Sequence, residues 1–176
     1  MREVSAAAWA ATARFPIYGV AVHVRSLYNV GALFRASDAA RLSHLYLTGG
    51  CGHPARERAR IDKTALGSVD SLPWTYAPDP LPVLAGLQRA GITVAALELS
   101  PGSRPLGEVT RSDFPLALVV GHETDGVPPA VMAACDLVLS IPTWGRKPSL
   151  NVALAYGLGV LTLAGLWAAA PSEKEL

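Results

Sequence analysis

Two short runs in the last third of the chain limit its architecture more than any other feature. They are residues 116–120 (Leu-Ala-Leu-Val-Val) and 137–141 (Leu-Val-Leu-Ser-Ile). Both are dominated by Leu and Val and carry no charge. Strands covered on both faces look like this, and parallel sheets sandwiched between helices provide that cover. Each run stops at a polar, turn-forming segment. Gly-His-Glu-Thr-Asp-Gly-Val-Pro follows the first at 121–128, and Pro-Thr-Trp-Gly-Arg-Lys-Pro-Ser-Leu-Asn follows the second at 142–151. Open α/β sheets collect ligands at the C-terminal ends of their strands. Two such turns on neighbouring strands predict one shared pocket.

The rest of the chain alternates in the same way. Residues 18–24, 44–48, 74–76 and 92–99 read as strands. Residues 29–41, 54–67, 81–90, 129–134 and a long last segment read as helices, with Gly91 closing the third of these. Residues 100–113 are dense in turn formers and read as a loop. The expectation is a single α/β domain over residues 1–176, with 1–15 as an N-terminal extension and 171–176 as a flexible polar tail.

Composition narrows the class. Hydrophobic residues make up 51% and charged residues 16%, which is apolar enough to predict association between copies. A net charge of +1 gives no bulk basic field. The local cluster Arg56, Arg58, Arg60 and Lys63 reads either as a solvated helix face or as a phosphate-contact surface. Cys51 and Cys135 lie far apart and suit free thiols in a reducing cytoplasm. The four histidines lack metal-ligand spacing, and His122-Glu123 is not an HExxH motif because position 126 is Gly. No metal is expected.

The N-terminus lacks a signal-peptide layout. Residues 152–170 form an uncharged run long enough to raise a membrane-spanning reading. Its Ala and Gly content favours a buried core or interface helix, so no membrane is expected. Gly157-Leu-Gly159 falls inside this helix without the remainder of a dinucleotide fingerprint, and there is no P-loop.

The two polar turns, together with Asn29-Val-Gly-Ala-Leu-Phe-Arg35, resemble the three ordered motifs of the SpoU/TrmH branch of the SPOUT RNA 2′-O-ribose methyltransferases. The resemblance runs over about residues 18–167. Its most specific parts are the step from Asn29 to Arg35 and the tripeptide Ser149-Leu150-Asn151. It implies a parallel sheet flanked by helices with a C-terminal trefoil knot, which periodicity alone would never suggest. It also implies S-adenosylmethionine as cofactor, tRNA or rRNA as substrate, and a homodimer with its site near the interface.

Carried over residue by residue, the resemblance implies a catalytic set of Asn29, Arg35, Glu123, Ser149 and Asn151. It places Leu97, Glu98, Leu99, Gly121, Ile141, Pro142, Ser149 and Leu150 beside the cofactor. RNA would meet Arg35, Arg56, Arg58, Arg60, Lys63, Arg146 and Lys147. Trp144 reads either as a stacking surface for RNA or as a packed residue.

Several roles stay open. The family treats Arg35 as the group that takes the 2′-OH proton. Guanidinium groups as a class hold their protons, so gripping a phosphate and orienting the ribose suits the residue as well. Asn29 suits a ribose contact or a helix N-cap, and Ser149 a site role or the N-cap of the last helix. Glu123 is the conventional proton acceptor of the set, or a surface carboxylate in a Gly-containing turn. A silent RNA-binding module that kept the fold, and a methyltransferase acting on a base or protein, are the alternatives; the intact motif set argues against both. Larger relatives carry an RNA-binding domain ahead of the first strand. The short segment here is expected to leave no room for one, so that this domain alone could recognise a tRNA loop or could equally act on a rRNA fragment.

Overall fold

The computed structural model describes residues 12–147 and 149–169. Most of the proposed N-terminal extension, the tail at 171–176, and Pro148 ahead of the last helix lie outside the described residues. In order, the elements are β1 (Phe15–Val22), α1 (Leu27–Ala39), β2 (Leu42–Thr48), α2 (Pro54–Ala65), the short α3 (Ser68–Ser71), β3 (Trp74–Ala77), α4 (Pro80–Arg89) and β4 (Thr93–Leu97). Then come β5 (Arg104–Pro105), two 3-10 turns, β6 (Leu116–Val120), α5 (Pro129–Ala133), β7 (Leu137–Ser140) and α6 (Val152–Ala169).

The seven strands form one sheet in the order β3-β2-β1-β6-β4-β7-β5, and every pairing is parallel. All five residues of β6 are buried. Leu116, Leu118 and Val120 join the core beneath α1 and α6, while Ala117 and Val119 join the opposite core with Leu84, Leu87 and Val131 from α4 and α5. The strand period of two thus feeds two helix layers at once, which is why the run reads as continuously apolar.

The predicted adjacency of the two motif-bearing strands does not hold. β4 pairs with β6 on one side and β7 on the other, so it separates them. Residues 100–113 also differ from the expected plain loop: β5 extends the sheet at β7, and Arg104 pairs with Asp113 at 2.9 Å.

Helix ends follow local chemistry. Ser26 caps α1, its side chain accepting from the Asn29 N–H, so Asn29 sits within the first turn rather than at the cap. After α4, the Ile92 and Gly91 N–H groups return to the carbonyls of Leu87 and Gln88, with Gly91 at φ 76. This is the two-bond C-terminal closure in which glycine takes the left-handed position.

The last helix approaches the sheet very closely at Gly19 and again where its own Gly159 meets Leu118 of β6. The fully buried Tyr156 ring lies over Gly19, where a Cβ would come within 2.0 Å of the Tyr156 hydroxyl. That hydroxyl shares a 2.6 Å hydrogen bond with Ser37 of α1. α6 is long and apolar enough to cross a membrane by length and composition. Here one face, with Tyr156, Val160 and Leu163, is buried in the core. The other leaves Leu154, Leu158 and Leu161 about half exposed, at 53%, 43% and 50%.

Candidate active site

A cavity of about 380 Å³ opens at the C-terminal ends of β4, β6 and β7. Its walls include Leu97, Glu98, Leu99, Gly121, Glu123, Ile141, Ser149 and Leu150, all singled out from the sequence. Pro142 is not part of its lining. One pocket therefore exists as expected, but β4 contributes a full wall by lying between the other two strands.

The turn after β6 folds into a tight loop. His122 and Gly126 exchange backbone hydrogen bonds at 2.9 and 3.1 Å, and Gly126 takes φ 69. The Asp125-Gly126 pair is a common hairpin signal, so this bend was legible although the cavity walls Gly126 and Val127 were not singled out. Glu98 pins the loop from the neighbouring strand: one oxygen accepts from the Val127 N–H at 3.2 Å and the other from the Leu99 N–H at 3.0 Å. Its carboxylate serves the backbone that shapes the cavity.

A second network joins the three motif segments. Glu123 accepts from the backbone N–H groups of Ser26 (2.8 Å) and Arg25 (3.3 Å) and from the side-chain amide of Asn29 (3.0 Å). The carbonyl oxygen of that Asn29 amide accepts from the Asn151 side chain at 3.2 Å. Asn151 in turn accepts from the Ala153 and Leu154 N–H groups at 3.0 and 3.2 Å, so it caps α6. This is the role that Ser149 was a candidate for. Ser149 instead stands exposed in the cavity wall.

Burial alone would push the Glu123 carboxyl up. The Ser26 N–H, the Asn29 amide and further N–H groups outweigh it and hold the group below its ordinary value. A carboxylate so engaged is a clamp and a poor proton acceptor. Its stabilising effect is present above the ordinary carboxylate pKa and is lost as pH falls through the lowered folded value. Glu123→Gln should therefore cost about 1–3 kcal/mol near neutral pH. In urea denaturation the gap between wild type and variant should shrink near pH 3, and an equal gap at both pH values would refute the charged clamp.

Arg35 lies on the exposed side of α1 and does not line the cavity. Of the α2 cations, Arg56, Arg60 and Lys63 are exposed; Arg60 and Lys63 are spaced to share one helix face, while a kink at Glu57 (φ -128, ψ 25) separates Arg56 from them. Arg58 points elsewhere: it pairs with Asp62 at 2.6 Å and forms a two-pronged contact with Asp70. That engagement sets it apart from its exposed neighbours. Arg146 and Lys147 are exposed on the loop before α6, and Trp144 beside them is 92% exposed, so it is not a packed residue. Among the described residues, no group of His, Cys, Asp and Glu is arranged to hold a metal.

Comparison with known proteins agrees with this geometry. Residues 16–161 match the SpoU rRNA Methylase family. The chain is 30% identical over 139 residues to a tRNA (guanosine(18)-2′-O)-methyltransferase of Aquifex aeolicus, covering 77% of this chain and 63% of that protein. It is 34% identical over 137 residues to the 23S rRNA (guanosine(2553)-2′-O)-methyltransferase RlmP of Bacillus subtilis, covering 78% and 53%. The AdoMet-bound rRNA methyltransferase of Sinorhizobium meliloti superimposes with a TM-score of 0.74 at 28% identity, over 83% of this chain and 54% of that one. The chain thus spans between about half and two thirds of the length of these relatives.

Proposed function

This chain belongs to the SpoU rRNA Methylase family, and from that premise we propose that it transfers a methyl group from S-adenosylmethionine to a ribose 2′-OH of tRNA or rRNA. The observation that carries the reading is the hydrogen-bonded chain Glu123–Asn29–Asn151, which gathers three distant segments at the edge of one cavity.

The cavity suits the cofactor. It mixes apolar walls from Leu97, Ile141 and Leu150 with backbone at Gly121, where the chain leaves no room for a side chain. Leu97, Leu99, Gly121, Ile141 and Leu150 would hold the adenosine and methionine parts. The bound cofactor supplies an electrophilic methyl group. The protein supplies placement, which is worth much of the acceleration in such transfers. Arg35 grips a phosphate of the RNA and orients the ribose, and the exposed cations Arg56, Arg60, Lys63, Arg146 and Lys147 extend the contact.

The reading includes a C-terminal trefoil knot involving α6, which the family likeness supports, and a cytoplasmic setting alongside the RNA substrates. It includes a homodimer as well. The open apolar face formed by Leu154, Leu158 and Leu161 supports a second copy there. Leu158→Asp should leave a monomer in sedimentation at micromolar concentration, whereas a variant that still dimerises would move the interface away from α6.

Mapping 2′-O-methyl sites in total RNA, with and without the gene, tests the function directly. A site that disappears and returns on complementation identifies the target. Calorimetry showing no S-adenosylmethionine binding would instead favour the silent RNA-binding alternative.

A further inference from the structure

We propose that a second hollow, at the C-terminal ends of β2 and β3, receives a guanine base of the RNA that flanks the methylated nucleotide. The inference rests on the RNA reading above. The hollow measures about 290 Å³ and is lined by Cys51, His53, Arg56, Glu57 and Tyr76. None of the motif residues belongs to it.

Its chemistry is that of a base site. The His53 and Tyr76 rings lie 4.7 Å apart at a 44° tilt, with Trp74 edge-on to His53 at 6.0 Å. Unstacked RNA bases are held on such aromatic surfaces. Arg56 is exposed and offers charge to a phosphate. Cys51 is an inert floor: burial pushes its thiol up to about 11, and its sulfur accepts from the Val24 N–H at 3.2 Å.

Glu57 selects among bases. One of its oxygens accepts from the His53 N–H at 3.3 Å, while none of the described residues donates to the other. An ionised carboxylate only accepts. Guanine presents adjacent N1–H and N2–H donors to it, whereas adenine and cytosine place a ring-nitrogen acceptor on the same edge. His53 completes the match. Its Nδ1 accepts from the Ala55 N–H at 3.1 Å, which leaves the ring's Nε2–H to donate to a base acceptor.

The location fits a neighbouring nucleotide. β1 separates β2 from β6, and strands lie about 5 Å apart, so the hollow is on the order of 10–15 Å from the turn after β6.

The test is an NMR titration of guanosine 5′-monophosphate into protein saturated with S-adenosylhomocysteine, which keeps nucleotides out of the cofactor cavity. His53 and Tyr76 signals should move, with affinity about tenfold above that for adenosine 5′-monophosphate. Because His53 also caps α2, the variant used is His53→Asn, which retains a capping acceptor. It should weaken guanosine monophosphate about tenfold and leave S-adenosylhomocysteine affinity unchanged. Glu57→Gln should erase the preference for guanine. Equal responses to the two nucleotides, the same shifts with inorganic phosphate alone, or an unaffected His53→Asn variant would each overturn the proposal. Protein that binds S-adenosylhomocysteine but ignores guanosine monophosphate refutes this inference alone. Protein that binds guanosine monophosphate at His53 without binding S-adenosylhomocysteine or methylating RNA keeps the site and refutes the proposed function.

Discussion

Replacing Arg35 with alanine is expected to lower methyl transfer by about a thousandfold, because misplacing a reacting group by about 1 Å already costs on the order of a hundredfold. S-adenosylmethionine affinity should stay within about twofold, since Arg35 is exposed on α1 and outside the cavity wall. It lies about 9 Å along the helix from Asn29, near enough to act on RNA held over the motif segments. Single-turnover kinetics beside calorimetry separate the two quantities. Arg35→Lys then distinguishes the roles. A phosphate grip leaves weak activity with no new pH optimum, because lysine keeps the charge and loses the planar fork. A base role gives activity that climbs as pH approaches about 10. Wild-type turnover in the alanine variant would remove Arg35 from the mechanism. Glu123 would not readily replace it, because its carboxylate is already spent on Ser26, Arg25 and Asn29.

Gly121→Ala is expected to lower cofactor affinity about a hundredfold and to destabilise the fold by about 1–3 kcal/mol or more. The added Cβ would stand 2.0 Å from the Gly126 carbonyl oxygen and 2.3 Å from the Val127 nitrogen. Both are backbone atoms, so no rotamer relieves the clash. The turn must shift, and with it the His122–Gly126 bonds and the Glu98–Val127 contact. Gly86→Ala on α4 is a suitable control. Its Cβ would meet only the end of Arg89 at 3.9 Å, and alanine is the better helix former by up to about 1 kcal/mol. Calorimetry showing unchanged affinity in Gly121→Ala would overturn the cavity assignment.

Much of this was legible in the sequence because it is local. The burial of β6 on both faces follows from its five apolar residues, and the close of α4 from Gly91. The common face of Arg60 and Lys63 follows from helical spacing, whereas the kink at Glu57 that sets Arg56 apart does not. Strand order was not legible: parallel neighbours are chosen by crossovers, and nothing in residues 93–97 says that they wedge between β6 and β7. The cap of α6 was ambiguous because Ser149 and Asn151 are both good capping residues. What favours Asn151 includes a contact with Asn29, 122 positions away. The partner of Arg58 was hidden for a similar reason, since Asp70 lies across a helix end and a turn. Glu123 read as a proton acceptor because its donors come from residues 94 to 98 positions distant.

Under the proposed function, the bonds from Asn151 through Asn29 to Glu123 would also tie two binding events into one equilibrium. Cofactor settling against Leu150 would bias the cap of α6, and the Asn29 amide would pass that bias to the first turn of α1, the helix that carries Arg35. Linkage of this kind is reciprocal: whatever factor the cofactor adds to RNA affinity, RNA returns to cofactor affinity. Cutting the relay with Asn29→Ala should bring that factor towards one, leaving two ligands that bind without knowledge of each other.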